Sequence, residues 1–599
     1  MDYDTCRSLP AMFFEQAERL REKPFLWAKH GGRYQPISWA AAAGDARRLA
    51  RGLGSLGISR GDRVALVAEN RPEWVIADLA IMSAGAITVP AYVTNTVEDH
   101  RHVFATSGAS AVIVSRPPLS ARVLAAANQA ETVHSVIAME PAAGQATAVD
   151  LLTWDEVLSK GDAASDDIAE HIAALNPDDI ACLIFTSGTG GIPKGVMTTH
   201  RNILANCRGA YRLLEMLGLG DEVFLSFLPL SHSYEHTAGM MFPISIGAQI
   251  YFAEGAETLA ANLLEARPTI MTAVPRLYET MHRRITLGVE RKSTIARRMF
   301  DKTVAIGRKR AAQTSPSATE RLLDPLLDRV VRADVRRRFG GRLKAMVSGG
   351  AALNPEIGSF FLALGVRLLQ GYGQTEAAPV IACNTPTRIK IETVGPPLDG
   401  VKVRIAEDGE ILVAGDNVMK GYWNDPQATA GALVEGWLHT GDVGHVDDDG
   451  YLCVTDRKRD FIKNSGGEMI SPARVEGYLT LEPEIAQAIV FGDRRPYLVA
   501  VLVPDAEFIA GFAAENGMST DVALLAGDPR FMKAIGAVIA RVNRGLAPVE
   551  RVRRFVIASE PFTIANGQMT PTLKVKRHAI REAYGAAIDS LYDGRGIAA

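Results

Sequence analysis

Two kinds of apolar spacing alternate along most of this chain. Short unbroken apolar runs, such as 63–68 (RVALVA) and 180–185, read as strands buried on both faces. Longer mixed stretches between them read as helices. Gly61-Asp62 forms a turn feeding the first of these strands. Asn70-Arg71-Pro72-Glu73-Trp74 then opens a helix, with Pro72 in its first turn, and AITVPAYV (86–93) follows as a strand. The longest apolar stretch, 74–90, is interrupted by Asp78 and by glycines. It is too short and too broken to span a bilayer, and predicts a buried helix followed by a strand. Strand and helix signals alternate to about residue 390, which predicts a mostly parallel, doubly wound sheet. From about 401 the pattern changes to short strands, with hairpins expected at DDDG (447–450) and SGG (465–467). The end of the chain reads as a small α+β unit with strands at 484–492 and 497–504, and the junction falls at 456–459. There is no internal repeat and no low-complexity tract.

The length of 599 residues exceeds one core and implies at least two domains. Hydrophobic content of 47% and charged content of 22% are those of a globular protein, and a net charge of −3 implies no general attraction to nucleic acid. The five cysteines are scattered without a C-x-x-C pair, which argues against a disulfide framework or a zinc site and fits a reducing, cytoplasmic setting. The first twenty residues lack the basic and apolar regions of a signal peptide. One segment departs from the overall balance: 283–342 holds 17 Lys/Arg against 6 Asp/Glu. The spacing of Arg329, Arg332 and Arg336 fits one helix face. This reads as a solvated helical surface or, more sharply, as a patch that meets the inner face of an anionic membrane or guides an anionic substrate.

The densest chemistry lies at 185–200, FTSGTGGIPKGVMTTH. Its glycines can turn backbone N–H groups inward, Thr186, Ser187 and Thr189 add hydroxyls, and Lys194 adds a charge. That is the make-up of a loop holding phosphate oxygens. From Gly188 the spacing fits a Walker A loop, but Pro193 replaces the second glycine and Gly195 replaces the hydroxyl residue that would bind magnesium. The loop is therefore expected to hold a nucleoside triphosphate by another arrangement. Three motifs follow. In QGYGQTEAAP (370–379) a strand ends in a glycine-flanked turn presenting Tyr372, Gln374, Thr375 and Glu376: a ring to stack on a base, a hydroxyl for phosphate, and a carboxylate for magnesium. In 437–463, Asp442 sits in a Thr-Gly-Asp turn where a carboxylate can accept ribose hydroxyls. In NGQMTPTLKVKR (566–577), Lys574 follows a Pro-Thr turn. Taken singly, the glutamate reads as a helix N-terminal charge, the aspartate as a turn residue and the lysine as a surface cation.

In this order and spacing the four motifs resemble the adenylate-forming superfamily of acyl-CoA synthetases, adenylation domains and luciferase, over about 61–577. Runs at 226–239, 272–282, 347–356, 456–472 and 570–577 look like long-chain fatty acid–CoA ligases. The resemblance implies an α/β fold. A large N-terminal domain (1–457) of mostly parallel doubly wound sheets plus a distorted β-barrel is followed by a small mobile α+β domain (458–599). It implies that Thr186, Ser187, Gly188 and Thr189 grip the ATP phosphates, with Lys194 closing the loop. Gly349, Gly350 and Ala351 would lie along the adenine, with Tyr372 on its face and Gly373 and Gln374 beside it. Thr375 would bind the α-phosphate, Glu376 with Thr186 the Mg²⁺, and Asp442 and Arg457 the ribose. His232 would stand beside the acyl carboxylate and pantetheine channel. Arg459 would be the hinge, Lys574 the catalytic lysine, and Gly466 and Gly467 would approach CoA. Three positions depart from the pattern: Gly190 replaces a common threonine, Arg459 a usual lysine or aspartate, and Leu573 a frequent glycine.

The implied activity is ATP-dependent formation of a fatty acyl-AMP with release of pyrophosphate, then acyl transfer to CoA. The alternative is an acyl-AMP ligase or acyl–carrier-protein synthetase with a non-CoA acceptor, and from another class a non-catalytic nucleotide sensor on the same fold. Fatty acid, ATP and CoA are the expected partners, nucleic acid is not, and a homodimer stays open.

Overall fold

The computed structural model describes residues 1–142, 148–186, 193–255, 257–311, 314–570 and 574–593. Two eight-stranded sheets carry most of the chain. The first runs Gly421–Tyr422, Lys194–Thr199, Ile180–Thr186, Ile87–Pro90, Arg63–Val67, Ala111–Val114, Ser135–Ala138, Asp150–Thr153. It is parallel from Ile180–Thr186 onward and antiparallel at its other end. The second runs Val380–Cys383, Leu368–Gly373, Ala345–Ser348, Ile270–Ala273, Val223–Ser226, Gln249–Phe252, Pro24–His30, Arg33–Ser38, parallel except at its two edges. The apolar runs form these strands because both faces are covered by helices. The stretch 74–90 behaves as expected: helix Pro72–Ser83 is buried on all sides and leads into strand Ile87–Pro90.

A five-stranded antiparallel sheet stands where the barrel is expected, built from Lys402–Ile405, Glu410–Ala414, Leu433–Val434, Trp437–Val446 and Leu452–Arg457. Its last two strands are the DDDG hairpin. The SGG hairpin joins Ile462–Lys463 to Met469–Ile470. Beyond it, Ile485–Phe491, Leu498–Pro504 and Val552–Ile557 form a three-stranded sheet. Two hydrophobic clusters at this end draw only on residues 462–592. Contacts between this part and the larger one are mostly polar. Arg276 Nη1 donates to the Ala486 carbonyl and Asn354 Nδ2 to the Gly477 carbonyl, each at 2.9 Å, while Leu481 packs on a cluster of the larger part. Among the described residues no helix is long and apolar enough to cross a membrane.

One local reading holds and two change. Lys194 opens a strand paired with Ile180–Thr186, and helix His200–Leu214 begins only afterwards. The strand–loop–helix geometry of a Walker A site is therefore absent, which gives a structural reason for the altered spacing. Asp442 lies inside strand Trp437–Val446 rather than in a turn; Gly441, at φ +71°, and a register shift at Val443/Gly444 kink the strand there. Arg332 points inward, away from exposed Arg329 and Arg336, because a π-turn over Asp328–Arg332 changes the helical period.

Candidate active site

The carboxyl ends of parallel neighbours Ile270–Ala273, Ala345–Ser348 and Leu368–Gly373 lie side by side, where open α/β sheets bind ligands. After Ser348 the chain turns through Gly349, Gly350 and Ala351. Gly349 lies against the Tyr234 ring: a Cβ there would stand 2.9 Å from Tyr234 Cζ. The ring is fixed, since its hydroxyl donates to the Val347 carbonyl at 2.9 Å. Ser348 Oγ, Gln370 Oε1 and Gln374 Nε2 are buried without a hydrogen-bond partner among the described residues. Ser348 and Gln370 are register partners. Orphaned polar atoms at these strand ends suit a ligand with donors and acceptors on its edge, as a purine has.

Strand Leu368–Gly373 continues through Tyr372 and Gly373, past the expected turn, and a single 3₁₀ turn, Thr375–Ala377, follows. Only glycine fits at 373, where a Cβ would fall 1.9 Å from the Pro379 carbonyl oxygen. The Tyr372 hydroxyl donates to Asp442 Oδ2 at 2.6 Å, and Arg457 Nε stands 3.3 Å from Asp442 Oδ1. Asp442 and Arg457 are register partners. Burial raises the Asp442 carboxyl, against the pull of Arg457, Tyr372 and Lys574. The Thr375 and Ser233 hydroxyls are 2.9 Å apart. Glu376 Oε1 accepts from the Tyr422 hydroxyl at 2.9 Å. Lys194 pairs with Asp425 at 3.4 Å and lies 5.3 Å from the centre of the Tyr422 ring, beside Glu376. Thr186 is the register partner of Lys194, so the two frame the phosphate-type loop. Ser187, Gly188, Thr189, Gly190 and Leu573 lie outside the described residues.

His232 Nδ1 accepts the Tyr234 backbone N–H at 3.2 Å, which leaves Nε2 to carry the proton. Burial, with the charge of Lys574, pushes this imidazole down to about 3, so it stays neutral. Lys574 reaches this cluster from the far end of the chain, and its backbone closes a loop with Thr570 (N to Oγ1, 3.0 Å). The residue is exposed at the surface, yet protein atoms lie densely around its ammonium. That crowding and the Arg457 guanidinium push its ammonium down to about 8, with Asp442 opposing. Arg459 occupies the turn after strand Leu452–Arg457, and Gly466 and Gly467 the following hairpin. Gly467 takes φ +86°, and Asn464 Oδ1 accepts the Gly466 and Glu468 N–H groups at 2.9 Å each. Among the described residues, no hydrogen bond links Gly466 or Gly467 to the cluster around Lys574.

Behind the site lies a buried network that the sequence reading left out. Glu235 opens a π-helix, Glu235–Met241, and accepts from Ser226 at 2.7 Å and Thr272 at 2.6 Å. Burial pushes its carboxyl up to about 7. Ser233, Tyr234, Tyr422 and Asp425 also escaped that reading. The hydroxyl-rich run SHSYEH (231–236) was the available signal for the first two.

Residues 13–423 match the family model described as AMP-binding enzyme, and 459–596 match that of the AMP-binding enzyme C-terminal domain. The long-chain-fatty-acid–CoA ligase FadD15 of Mycobacterium tuberculosis is 34% identical over 574 residues, covering 94% of this chain and 93% of that one. Long-chain-fatty-acid–CoA ligase 1 of Cavia porcellus is 29% identical, covering 98% and 87%. Among solved structures, the adenylation domain of a carboxylate reductase from Mycobacterium chelonae superposes with a TM-score of 0.77 at 21% identity, covering 98% and 91%. A benzoate CoA ligase from Burkholderia xenovorans does so at 0.71 and 24%, covering 96% and 100%.

Proposed function

Since the chain belongs to the AMP-binding enzyme family and is an adenylate-forming acid–thiol ligase, we propose that its acid is a long-chain fatty acid and its thiol that of CoA. The observation that carries this reading is the likeness to long-chain-fatty-acid–CoA ligases over nearly the whole chain; the adenylate chemistry is supported by Lys574 lying within electrostatic reach of Asp442, Arg457 and His232. A remote lysine thereby meets a carboxylate–guanidinium pair and a neutral imidazole in one cluster.

In the first step the fatty carboxylate attacks the α-phosphorus of ATP and pyrophosphate leaves. The barrier comes from charge gathering on phosphate oxygens and from holding two anions together. Both call for preorganised cations and donors rather than a protein nucleophile. Asp442 accepts the ribose hydroxyls, with Tyr372 and Arg457 fixing its two oxygens. Gly349 and Tyr372 bracket the adenine. Thr375 donates to the α-phosphate, aligned by Ser233. Lys574 meets the negative charge that builds there. Glu376, steadied by Tyr422, is the carboxylate suited to Mg²⁺, with Thr186 nearby, and the metal when bound supplies screening of the triphosphate. His232, neutral with its proton on Nε2, donates to the acyl carboxylate or the adenylate carbonyl. In the second step the CoA thiol attacks the acyl carbonyl and AMP leaves. Lys574 crowds that approach, so we assign Arg459 as the pivot that carries residues 458–599 away and brings the Gly466–Gly467 hairpin to the pantetheine.

The test is pyrophosphate exchange and CoA thioester formation across a fatty acid series from short to very long. Activity rising towards long chains with CoA, and not with a holo-carrier protein, is the expected result. Exchange without thioester to CoA would replace CoA by another acceptor.

A further inference from the structure

One surface helix of this protein is inside out. Helix Ala318–Leu327 and the π-turn Asp328–Arg332 that continues it carry acids at 320, 324 and 328, and apolar residues at 322, 326 and 330. Each set repeats every four residues and so shares a face. On an ordinary surface helix the acids face water. Here two of them face inward, Glu320 and Asp324 being only 5% and 4% exposed, while Asp328 is half-exposed but paired. Glu320 is held by Lys302 at 3.1 Å and Lys309 at 2.9 Å, Asp324 by Arg310 at 2.7 Å and Arg332 at 2.9 Å, and Asp328 by Arg336 at 2.9 Å. These ion pairs fix the helix's rotation and turn its apolar side outward. Leu322, Leu323, Leu326 and Val330 stand 85%, 37%, 52% and 48% exposed, with exposed Pro325 among them. Arg321 and Arg329, also exposed, flank this ridge, and no acid lies on its outer face.

We propose that this ridge docks on an anionic lipid surface, with the leucines entering the acyl boundary and Arg321 and Arg329 meeting lipid phosphates. Charge complementarity selects the occupant. The helix's own acids are already paired with Lys302, Lys309, Arg310, Arg332 and Arg336, so the exposed Arg321 and Arg329 set the charge at the ridge. A second copy presenting the same cationic ridge about a two-fold axis would repel it. An exposed apolar patch with a cationic rim fits anionic headgroups over hydrocarbon better than a neutral surface. The inference does not depend on which acid or thiol the enzyme uses.

The test is co-flotation of the full-length protein with vesicles of phosphatidylcholine alone and of phosphatidylcholine mixed with phosphatidylglycerol. Wild type is expected to bind the mixed vesicles and to release as salt rises. The pair L322Q/L326Q should weaken that binding about tenfold or more. The pair R321Q/R329Q should weaken it about tenfold on mixed vesicles and leave the neutral ones unchanged. Both should retain pyrophosphate exchange with a water-soluble acid. Equal binding to both vesicle types, no binding, or indifference to both double variants would overturn the proposal. So would a wild-type dimer that L322Q/L326Q dissociates without any effect on lipid binding. Should a double variant fail to fold, amide exchange over 318–332 of wild type must slow on mixed vesicles; no slowing would equally overturn it.

Discussion

With its ammonium pushed down to about 8, Lys574 is charged below that pH and loses its charge above it. If Lys574 serves the first step alone, kcat/KM for ATP in pyrophosphate exchange should fall as pH rises through about 8. Thioester formation from supplied acyl-AMP should show no such limb. Lys574→Arg keeps the charge and should remove the limb, and Lys574→Ala should abolish exchange while sparing the second half-reaction. Equal loss of both would refute the division of labour. Glu376→Ala should lower ATP-dependent turnover about 10²-fold or more, the scale of losing one preorganised contact; near-normal rates at saturating Mg²⁺ would count against it. Gly349 yields a subtler outcome. Its Cβ would press on a Tyr234 ring that cannot retreat freely, because the hydroxyl is tied to Val347. Gly349→Ala should therefore raise the KM for ATP about tenfold and lower the melting temperature by a few degrees, as overpacking against a tied ring does.

The π-helix Glu235–Met241 turns on one carboxyl. Gly239 leaves room for it, since a Cβ there would sit 2.3 Å from Glu235 Cδ. Glu235 rises from 4.5 to about 7 on folding, so the folded state holds its proton more tightly than the unfolded chain. The stabilisation from that group is complete below about 4.5 and is lost as pH rises to about 7, at most about 3 kcal/mol in all. Glu235→Gln should flatten the pH dependence of the melting temperature across that window; an unaltered slope would show that other groups set it. What the chain's spacing reveals at this scale, and what it hides, follows from range. Strands such as Arg63–Val67 and the DDDG hairpin were legible because burial on both faces and turn chemistry are written in neighbouring residues. The kink at Asp442 and the inward swing of Arg332 were not, because a bulge and a π-turn each insert residues that break the period being read. The Tyr234–Gly349 and Tyr422–Glu376 contacts were also hidden, since each joins residues that only the folded sheet brings together. Tyr372, Asp442, Arg457 and Lys574 were found through their motifs, and the structure places them in one cluster.

At the scale of the whole molecule, the two cores are separate and the contacts between them are largely polar. Lys458 pairs with Asp408 and, at 3.1 Å, with Glu410, just before Arg459. Asp456 accepts from Ser471 at 2.5 Å across the same junction. Half-exposed pairs of this kind contribute at most about 1 kcal/mol, so Lys458→Ala should speed proteolytic cleavage near 458–463 by no more than about fivefold. It should also slow pyrophosphate exchange more than thioester formation. A change confined to the second half-reaction would show that the pair steadies the other pose. The same polar seam has a consequence for exchange between proteins. A domain whose apolar side chains are nearly all satisfied within 462–592 leaves little hydrophobic surface exposed when it is cut away and replaced. The described residues of 462–592 thus form a portable cassette: grafting a relative's segment there would need a handful of hydrogen bonds rewritten and, of the apolar contacts, that of Leu481 repacked.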